Sequence, residues 1–408
     1  MGGNHMDKLK LKLDISLKAD LDIGFFKTFH AHPQRYFSAP GRTEIGGNHT
    51  DHQRGRVLAG AVNLDTVAAV ATNGTDAIRI QSEGYPLTVV SLSELVPNEA
   101  EYNTTAALVR GVAARFRELG CDVQGFDAYV TSTVLPGSGL SSSAAYEVLI
   151  GTIINHMFFD GKVSQPDIAK IGQYAENVFF GKPCGLMDQM ASAVGGLVNI
   201  DFFDKDNPVI EPIDFDFASC GHALCIIDSR ASHADLTDEY AAITIELKKI
   251  CAYFGKDVLT QIDEVDFYAA IPALREACGD RAVMRAIHFY RENQRVTEQV
   301  NALKNNDFDA FLSLIKESGY SSYMYLQNVI PAGYKEHQNV ALALALCQHY
   351  LKGKGGFRVH GGGFAGTVQA FVPFEILDEF KNGIDSVLGA GACHVLSIRP
   401  QGGVIAEA

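Results

Sequence analysis

Apolar and polar positions follow two rhythms along this chain. Between Arg35 and about Gln81 the apolar residues fall in short runs, Tyr36–Ala39, Arg56–Ala59, Thr66–Ala71 and Ile78–Gln81, with Asn73-Gly74 stopping the third. Runs of this length, rich in β-branched residues and bounded by turn formers, predict strands. Ala106–Leu119 carries apolar residues at helical spacing before Gly120, whereas Phe126–Thr133 alternates as a strand does. Helices are predicted over Ala145–Phe159 and Ile168–Phe180, then a strand over Ala223–Asp228. After it helices dominate, at Glu239–Phe254, Val283–Lys304, Asp309–Glu317 and Val340–Tyr350. Phe357–Val359 and Thr367–Val372 flank a glycine-rich loop and predict a hairpin or a strand–helix–strand unit. A stretch rich in Asp, Asn and Pro, Asp201–Pro212, reads as the seam between two domains, the number expected of 408 residues.

The predicted strand ending near Thr133 runs into Leu135-Pro136-Gly137-Ser138-Gly139-Leu140-Ser141-Ser142-Ser143-Ala144-Ala145 and from there into a helix. Glycines permit a tight turn and close backbone approach, and a helix starting near Ser142 aims free N–H groups and the positive end of its dipole at an anion. The segment therefore reads as a phosphate cradle. A plain serine-capped helix after a turn is the alternative. No Gly-Lys-Ser/Thr follows, so it is not a Walker A loop, and no third glycine falls where a dinucleotide fingerprint needs one.

Composition narrows the partners. A formal net charge of -14 lacks the basic balance of a nucleic-acid binder, so any polyanion must be met by local cations, a metal or helix termini. The eight cysteines form no C-x-x-C pair and read as reduced thiols. Lys8, Lys10, Lys12 and Lys18 are scattered among acids with no apolar run, unlike a signal peptide, and no stretch approaches the ~20 apolar residues of a membrane helix. A cytoplasmic protein without a membrane partner is expected. His360-Gly361-Gly362-Gly363 has the form of an oxyanion loop, but the chain holds no G-x-S-x-G nucleophile elbow, which removes a hydrolase.

Three further segments complete a pattern with the Gly/Ser loop: Pro40-Gly41-Arg42-Thr43-Glu44-Ile45-Gly46-Gly47-Asn48-His49-Thr50-Asp51-His52, Gly181-Lys182-Pro183-Cys184-Gly185-Leu186-Met187-Asp188-Gln189, and Gly355–Thr367. Together they resemble the GHMP small-molecule kinases and, within them, the galactokinases. The resemblance implies an α+β, two-domain GHMP kinase fold with its active site in the interdomain cleft. Residues 1–204 would form the N-terminal domain and 205–408 the C-terminal one.

The resemblance also implies the chemistry. Phosphoryl transfer needs a phosphate cradle, a divalent metal and a positioned acceptor hydroxyl. ATP would lie on Pro136, Gly137, Ser138, Gly139, Leu140, Ser141, Ser142, Ser143 and Ala144, with Mg2+ held by Ser143 and Glu176. Asp188 would face the anomeric hydroxyl of α-D-galactose, with Arg42 beside it keeping it ionised and stabilising charge on the transferring group. Asn48, His49, Asp51, Gly185, Asp188 and Tyr240 would bind the sugar. Without the resemblance, Glu176 reads as a solvated helix acid, Asp188 as a structural ion pair, and His49-x-Asp51-His52 as a metal site lacking a third ligand. One departure stands out: galactokinases carry Glu before the His that matches His49, with an Asn earlier in the motif, whereas this chain has Asn48 there and Glu44 earlier. Asn48 would tolerate a carboxylate on the sugar better than Glu. Anomeric phosphorylation of galacturonate or another galactose-like sugar is thus an alternative, and a non-catalytic sugar- and ATP-sensing regulator is another. A monomer is expected.

Overall fold

The structure is a computed structural model and describes residues 11–134, 139–182, 184–231 and 236–407. In chain order the strands and helices are β1 (Leu11–Lys12), α1 (Ile15–Phe29), β2 (Arg35–Gly46), β3 (Arg56–Thr72), β4 (Ala77–Ser82), β5 (Thr88–Ser91), α2 (Thr105–Glu118), β6 (Phe126–Ser132), α3 (Ser142–Phe158), α4 (Gln165–Tyr174), α5 (Met187–Val194), β7 (Leu197–Asp201), β8 (Val209–Ile213), β9 (His222–Asp228), α6 (Thr237–Tyr253), α7 (Glu264–Cys278), α8 (Asp280–Lys304), α9 (Phe308–Ser321), α10 (Asn339–Leu351), β10 (Gly356–His360), β11 (Thr367–Pro373), α11 (Leu377–Leu388), β12 (Cys393–Leu396) and β13 (Val404–Glu407). No helix among the described residues is long and apolar enough to cross a membrane.

The chain divides into two compact units, and the division is not the single cut expected at 204/205. One unit comprises Met1–Arg42, Gly60–Gly196 and Ile398–Ala408; the other comprises Thr43–Ala59 and Leu197–Ser397. The Asp201–Pro212 stretch is no linker. It is the turn of the β7–β8 hairpin, paired from Leu197↔Ile213 to Asp201↔Val209, with the Asp204 carboxylate accepting from the Asp206 and Asn207 amides. Asx turns of this kind satisfy a tight reversal locally.

The first unit is built on strands in the order β1-β13-β2-β3-β6-β4-β5. β3 pairs antiparallel with β6 from Thr66↔Ser132 to Thr72↔Phe126, and β4 runs parallel to β6. The sequence predicts separate strands at Arg56–Ala59 and Thr66–Ala71 where β3 is one. Asp65 is absorbed by an internal partner: its carboxylate accepts from Arg399 at 2.7 Å and from the Ser38 hydroxyl at 2.6 Å. Helix α1 packs Leu21 and Phe25 against Val67, Ala69 and Ala71 of the sheet. Gly24 is required there, since a Cβ would overlap the Tyr129 ring. Helices α2, α3, α4 and α5 pack on one another, and α3 buries Ala144, Ala145, Val148, Leu149 and Ile153 among them.

In the second unit the antiparallel sheet β10-β11-β9-β12 carries α10 and α11, whose Val340, Ala343, Cys347, Phe380 and Ile384 meet Cys225, Ile227, Val368 and Ala370. The β10–β11 hairpin reading is the one realised, paired from Gly356↔Phe371 to His360↔Thr367. Helices α6, α7 and α8 form a separate core around Ile243, Leu247, Phe267, Leu274 and Phe289. Along α8 a second face is polar yet buried: Arg285, His288, Glu292, Arg295 and Gln299 recur at helical spacing and are each at most 5% exposed.

Candidate active site

Pro136, Gly137 and Ser138 of the expected cradle lie outside the described residues. Gly139 is left-handed, Leu140 is buried, and α3 begins at Ser142 with no side chain capping its first turn. The first N–H groups of a helix without a cap partner, backed by the dipole of its 17 residues, form an anion site. Ser142 and Ser143 sit half-buried in this turn and Ala144 is buried beneath them.

Beside the helix lies a tight ion pair. Arg42, at the end of this unit's part of β2, grips Asp188 with Nε on Oδ1 at 2.6 Å and Nη2 on Oδ2 at 3.1 Å. Its Nη1 donates to Gly139 O at 2.6 Å and its backbone N–H to Leu140 O at 3.0 Å, so the pair is tied to the loop before α3. Ser141 Oγ, expected on a phosphate, donates to Asp188 Oδ2 at 2.8 Å. Asp188 occupies the first turn of α5, where a helix dipole favours a carboxylate, and Gly185 lies exposed three residues before it. Burial raises the Asp188 pKa, but the Arg42 charge and the hydrogen bonds from Arg42 and Ser141 outweigh it, and the carboxyl ends below its ordinary value. The side chain keeps 32% of its surface exposed, against 9% for Arg42. An ionised carboxylate held from one side and open on another can accept a proton.

A second carboxylate group lies nearby in the same unit. The helix predicted through Phe180 leaves α geometry at Ala175 and continues as a π-helical turn, Ala175–Phe180, that carries Glu176. Such turns often mark functional positions. Glu176 is buried rather than solvated, and Gln189 Nε2 donates to both Glu176 Oε2 at 2.9 Å and Glu147 Oε2 at 3.0 Å. Lys182 Nζ stands 3.6 Å from Glu176 Oε1. Burial and the adjacent Glu176 push the Glu147 carboxyl well above the usual carboxylate range, and Glu147 Oε1 has no hydrogen-bond partner. Buried hard oxygens with an unfilled acceptor suit a divalent cation. No group of three or more His, Cys, Asp or Glu among the described residues could hold a metal alone. That donor set fits Mg2+, which takes one or two protein oxygens and leaves its other positions to water and phosphate.

Glu147 and Gln189 escape sequence reasoning because each reads as an ordinary helix residue. So does a cavity of about 580 Å³ in the second unit and, more relevant here, one of about 530 Å³ in the first unit. The latter opens at the start of α3, where Ser142, Ser143 and Tyr146 face Pro86, Asn103, Leu108 and Phe180. Its size and mixed lining suit a small organic ligand.

The sugar-type motif belongs to the second unit, where it is bound to the glycine run. The carbonyls of Gly361, Gly362 and Gly363 accept in turn from Asn48 Nδ2 at 2.6 Å, His49 Nε2 at 3.0 Å and Tyr240 Oη at 2.9 Å. A Cβ on Gly362 would stand 2.8 Å from the Tyr240 ring, so the glycine is sterically required. Asp51 is half-buried at the start of a short 3-10 turn, Asp51–Gln53. The buried polar face of α8 supports the loop from below. Glu292 Oε1 accepts from the Gly47 and Asn48 amides at 3.1 and 3.2 Å and from Ser318 Oγ at 2.7 Å, while Arg295 pairs with the other oxygen. His288 Nε2 donates to Asn48 O at 2.9 Å, leaving Nδ1 to accept from Ser321. Burial lowers the His288 pKa to about 4, so the ring is neutral at physiological pH.

Residues 107–196 match the GHMP kinases N terminal domain, and residues 24–72 match the galactokinase galactose-binding signature. The galactokinase of Streptomyces coelicolor is 31% identical over 370 residues, covering 90% of this chain and 92% of that protein. The chain belongs to the galactokinases. A galactokinase of Actinobacillus pleuropneumoniae is 33% identical over 347 residues, covering 84% of this chain and 86% of that protein. The fold is also that of Lactococcus lactis galactokinase complexed with galactose, at TM-score 0.79 and 22% identity over 95% of this chain and 99% of that one. A mevalonate kinase shares it at TM-score 0.60 and 14% identity over 92% of this chain and all of the other. Family membership makes the protein an ATP-dependent sugar kinase.

Asn48, expected on the sugar, has its side chain engaged within the protein. Its side chain is fully buried and all four of its hydrogen-bonding positions are used: Nδ2 donates to Glu44 Oε1 at 3.0 Å and to Gly361 O, and Oδ1 accepts from Ser322 Oγ at 3.1 Å and Asn328 Nδ2 at 2.9 Å. An amide can make no more. Glu44 in turn pairs with Arg358, itself 0% exposed. The Glu44 carboxylate is thus neutralised inside the protein by Arg358, and the Asn48 side chain ties Glu44 to the glycine run.

Proposed function

We propose that the enzyme transfers the γ-phosphoryl group of ATP to the anomeric hydroxyl of α-D-galactose, giving galactose 1-phosphate and ADP. The observation that carries this reading is the bidentate Arg42–Asp188 pair set against the loop before α3. Asp188 takes the proton of the attacking hydroxyl as the oxygen bonds to phosphorus. Its low pKa makes it a weak base, which suits a loose transition state in which the hydroxyl proton leaves late. Arg42 fixes the carboxylate, and its guanidinium offsets negative charge accumulating on the transferring group.

The nucleotide phosphates bind at the start of α3, through its N–H groups and Ser142 and Ser143, with the base and ribose in the cavity beside Tyr146 and Phe180. Ser143 and Glu176 would hold Mg2+, which when bound would supply neutralisation of phosphate charge. Glu147, through Gln189, keeps the Glu176 carboxylate in place. His49, Asp51, Gly185 and Tyr240 bind the sugar hydroxyls, and the glycine run sets the orientation of His49 and Tyr240. The setting of Asn48 favours no sugar carboxylate, because its amide is spent within the protein. The intact Arg42–Asp188 pair is what a sensor without catalysis would not need.

The test is product identity. With ATP, Mg2+ and a panel of galactose, galacturonate, galactosamine, 2-deoxygalactose, glucose and fucose, phosphorus NMR should show an anomeric sugar phosphate from galactose. ADP release without a sugar 1-phosphate, or turnover confined to another sugar, would overturn the proposal.

A further inference from the structure

Ser141 occupies the N-cap position of α3 and does not cap it. An N-cap serine ordinarily has an extended backbone and accepts a hydrogen bond from the second or third helical N–H. Ser141 instead has φ 56° and ψ 68°, a left-handed conformation disfavoured for a residue with a Cβ, and makes no side-chain hydrogen bond to the helix. Its hydroxyl goes to Asp188 Oδ2 at 2.8 Å. Strain of this kind persists where the surroundings impose it, and here they do: the two residues before it, Gly139 and Leu140, both give their carbonyls to Arg42.

Counting lone pairs on Asp188 shows what the hydroxyl achieves. Each carboxylate oxygen offers two acceptor sites. On Oδ2 both are taken, by Arg42 Nη2 and by Ser141 Oγ; on Oδ1 Arg42 Nε takes one. One site on Oδ1 is left.

We propose that Ser141 is a positioning residue for Asp188 and not a phosphate ligand: it saturates Oδ2, so that Oδ1 is the oxygen that receives the substrate proton. The proposal rests on the reading of Asp188 as proton acceptor. It assigns the three serines of the loop different tasks. Ser142 and Ser143 face the nucleotide cavity, whereas Ser141 faces the carboxylate. By leaving α3 without a side-chain cap, the same conformation keeps the first helical N–H groups available to phosphate.

The test is a double-mutant cycle of Ser141→Gly and Asp188→Asn, with Ser141→Ala as a second variant. Glycine adopts positive φ without strain, so it removes the hydroxyl while keeping the loop conformation. At saturating sugar and MgATP, Ser141→Gly should lower kcat roughly 10-fold, with nucleotide affinity, read by equilibrium titration of ATP, within about twofold of wild type. In the Asp188→Asn background the same change should alter kcat less than about twofold, because the partner it positions is gone. A merely structural serine would move stability and leave this kcat-against-affinity split unmoved. Unchanged kcat in Ser141→Gly beside a crippled Asp188→Asn would overturn the role of Ser141 alone. Weakened ATP binding with kcat intact would make Ser141 a phosphate ligand, and fully multiplicative losses in the cycle would make it independent of Asp188. Full activity of Asp188→Asn would overturn the catalytic reading itself.

Discussion

Asn48 donates its amide to Glu44 across 3.0 Å, in a region where neither side chain meets solvent. The two residues are thus direct neighbours, and the buried Arg358 completes the group. Changing either residue alone leaves a buried charge or amide without its partner, whereas exchanging the two keeps one carboxylate and one amide in the group.

Asn48→Glu should therefore destabilise the protein by about 2–4 kcal/mol, since it sets a second carboxylate against Glu44 and disrupts a fully satisfied amide. Glu44→Asn alone should cost about 3–5 kcal/mol by leaving the Arg358 guanidinium buried and unpaired. The double exchange should recover at least half of the summed loss. Urea denaturation of the four proteins measures this, and strict additivity would show that the two positions are not coupled.

His288 gives the stability a defined pH dependence. Its folded pKa of about 4 lies below the unfolded value near 6.5, so in that window the unfolded chain binds more protons and stability falls as pH falls. The full effect is roughly 3 kcal/mol on the linkage relation and is reached near pH 4. His288→Gln, which can still donate to the Asn48 carbonyl, should lose less stability than wild type between pH 6.5 and 4 in thermal melts at stepped pH. Equal slopes would remove His288 from the account.

Glu176→Ala should raise the Mg2+ concentration needed for half-maximal rate and weaken MgATP binding, because a hard oxygen ligand is lost. Sugar binding in the absence of nucleotide should change less than twofold. Titration calorimetry with each ligand separates the two effects, and an unaltered Mg2+ dependence would return Glu176 to a structural part in the Gln189 cluster.

The periodic core was legible in the sequence, as was the chemistry concentrated in short motifs. Strands β4, β6, β9 and β11 and helices α2, α3, α6, α8 and α10 lie where apolar spacing puts them, give or take a few residues, while β2 starts where predicted and runs on to Gly46. Helix α1 was not, because its polar residues Lys18, Asp20 and Asp22 mask Leu21 and Phe25; nor was β13, whose place beside β2 depends on a partner nearly 370 residues away. At the site, Arg42 and Asp188 were readable from their motifs. The support beneath the Gly47–Asn48 loop was not. Glu292, His288 and Arg295 recur at helical spacing on α8, and periodicity distinguishes a polar stripe from an apolar one but not a buried polar stripe from an exposed one. The contact of the Ser141 hydroxyl with Asp188 is not readable from the sequence either, because it depends on the left-handed backbone at Ser141.

The central claim is that Asp188 accepts the proton of a sugar hydroxyl while Arg42 holds it ionised. The most direct measurement is the single-turnover rate of galactose phosphorylation by Asp188→Asn at saturating MgATP, with ATP affinity measured on the same sample. The account predicts a fall of about two to four orders of magnitude with ATP affinity retained. A rate within threefold of wild type would contradict it.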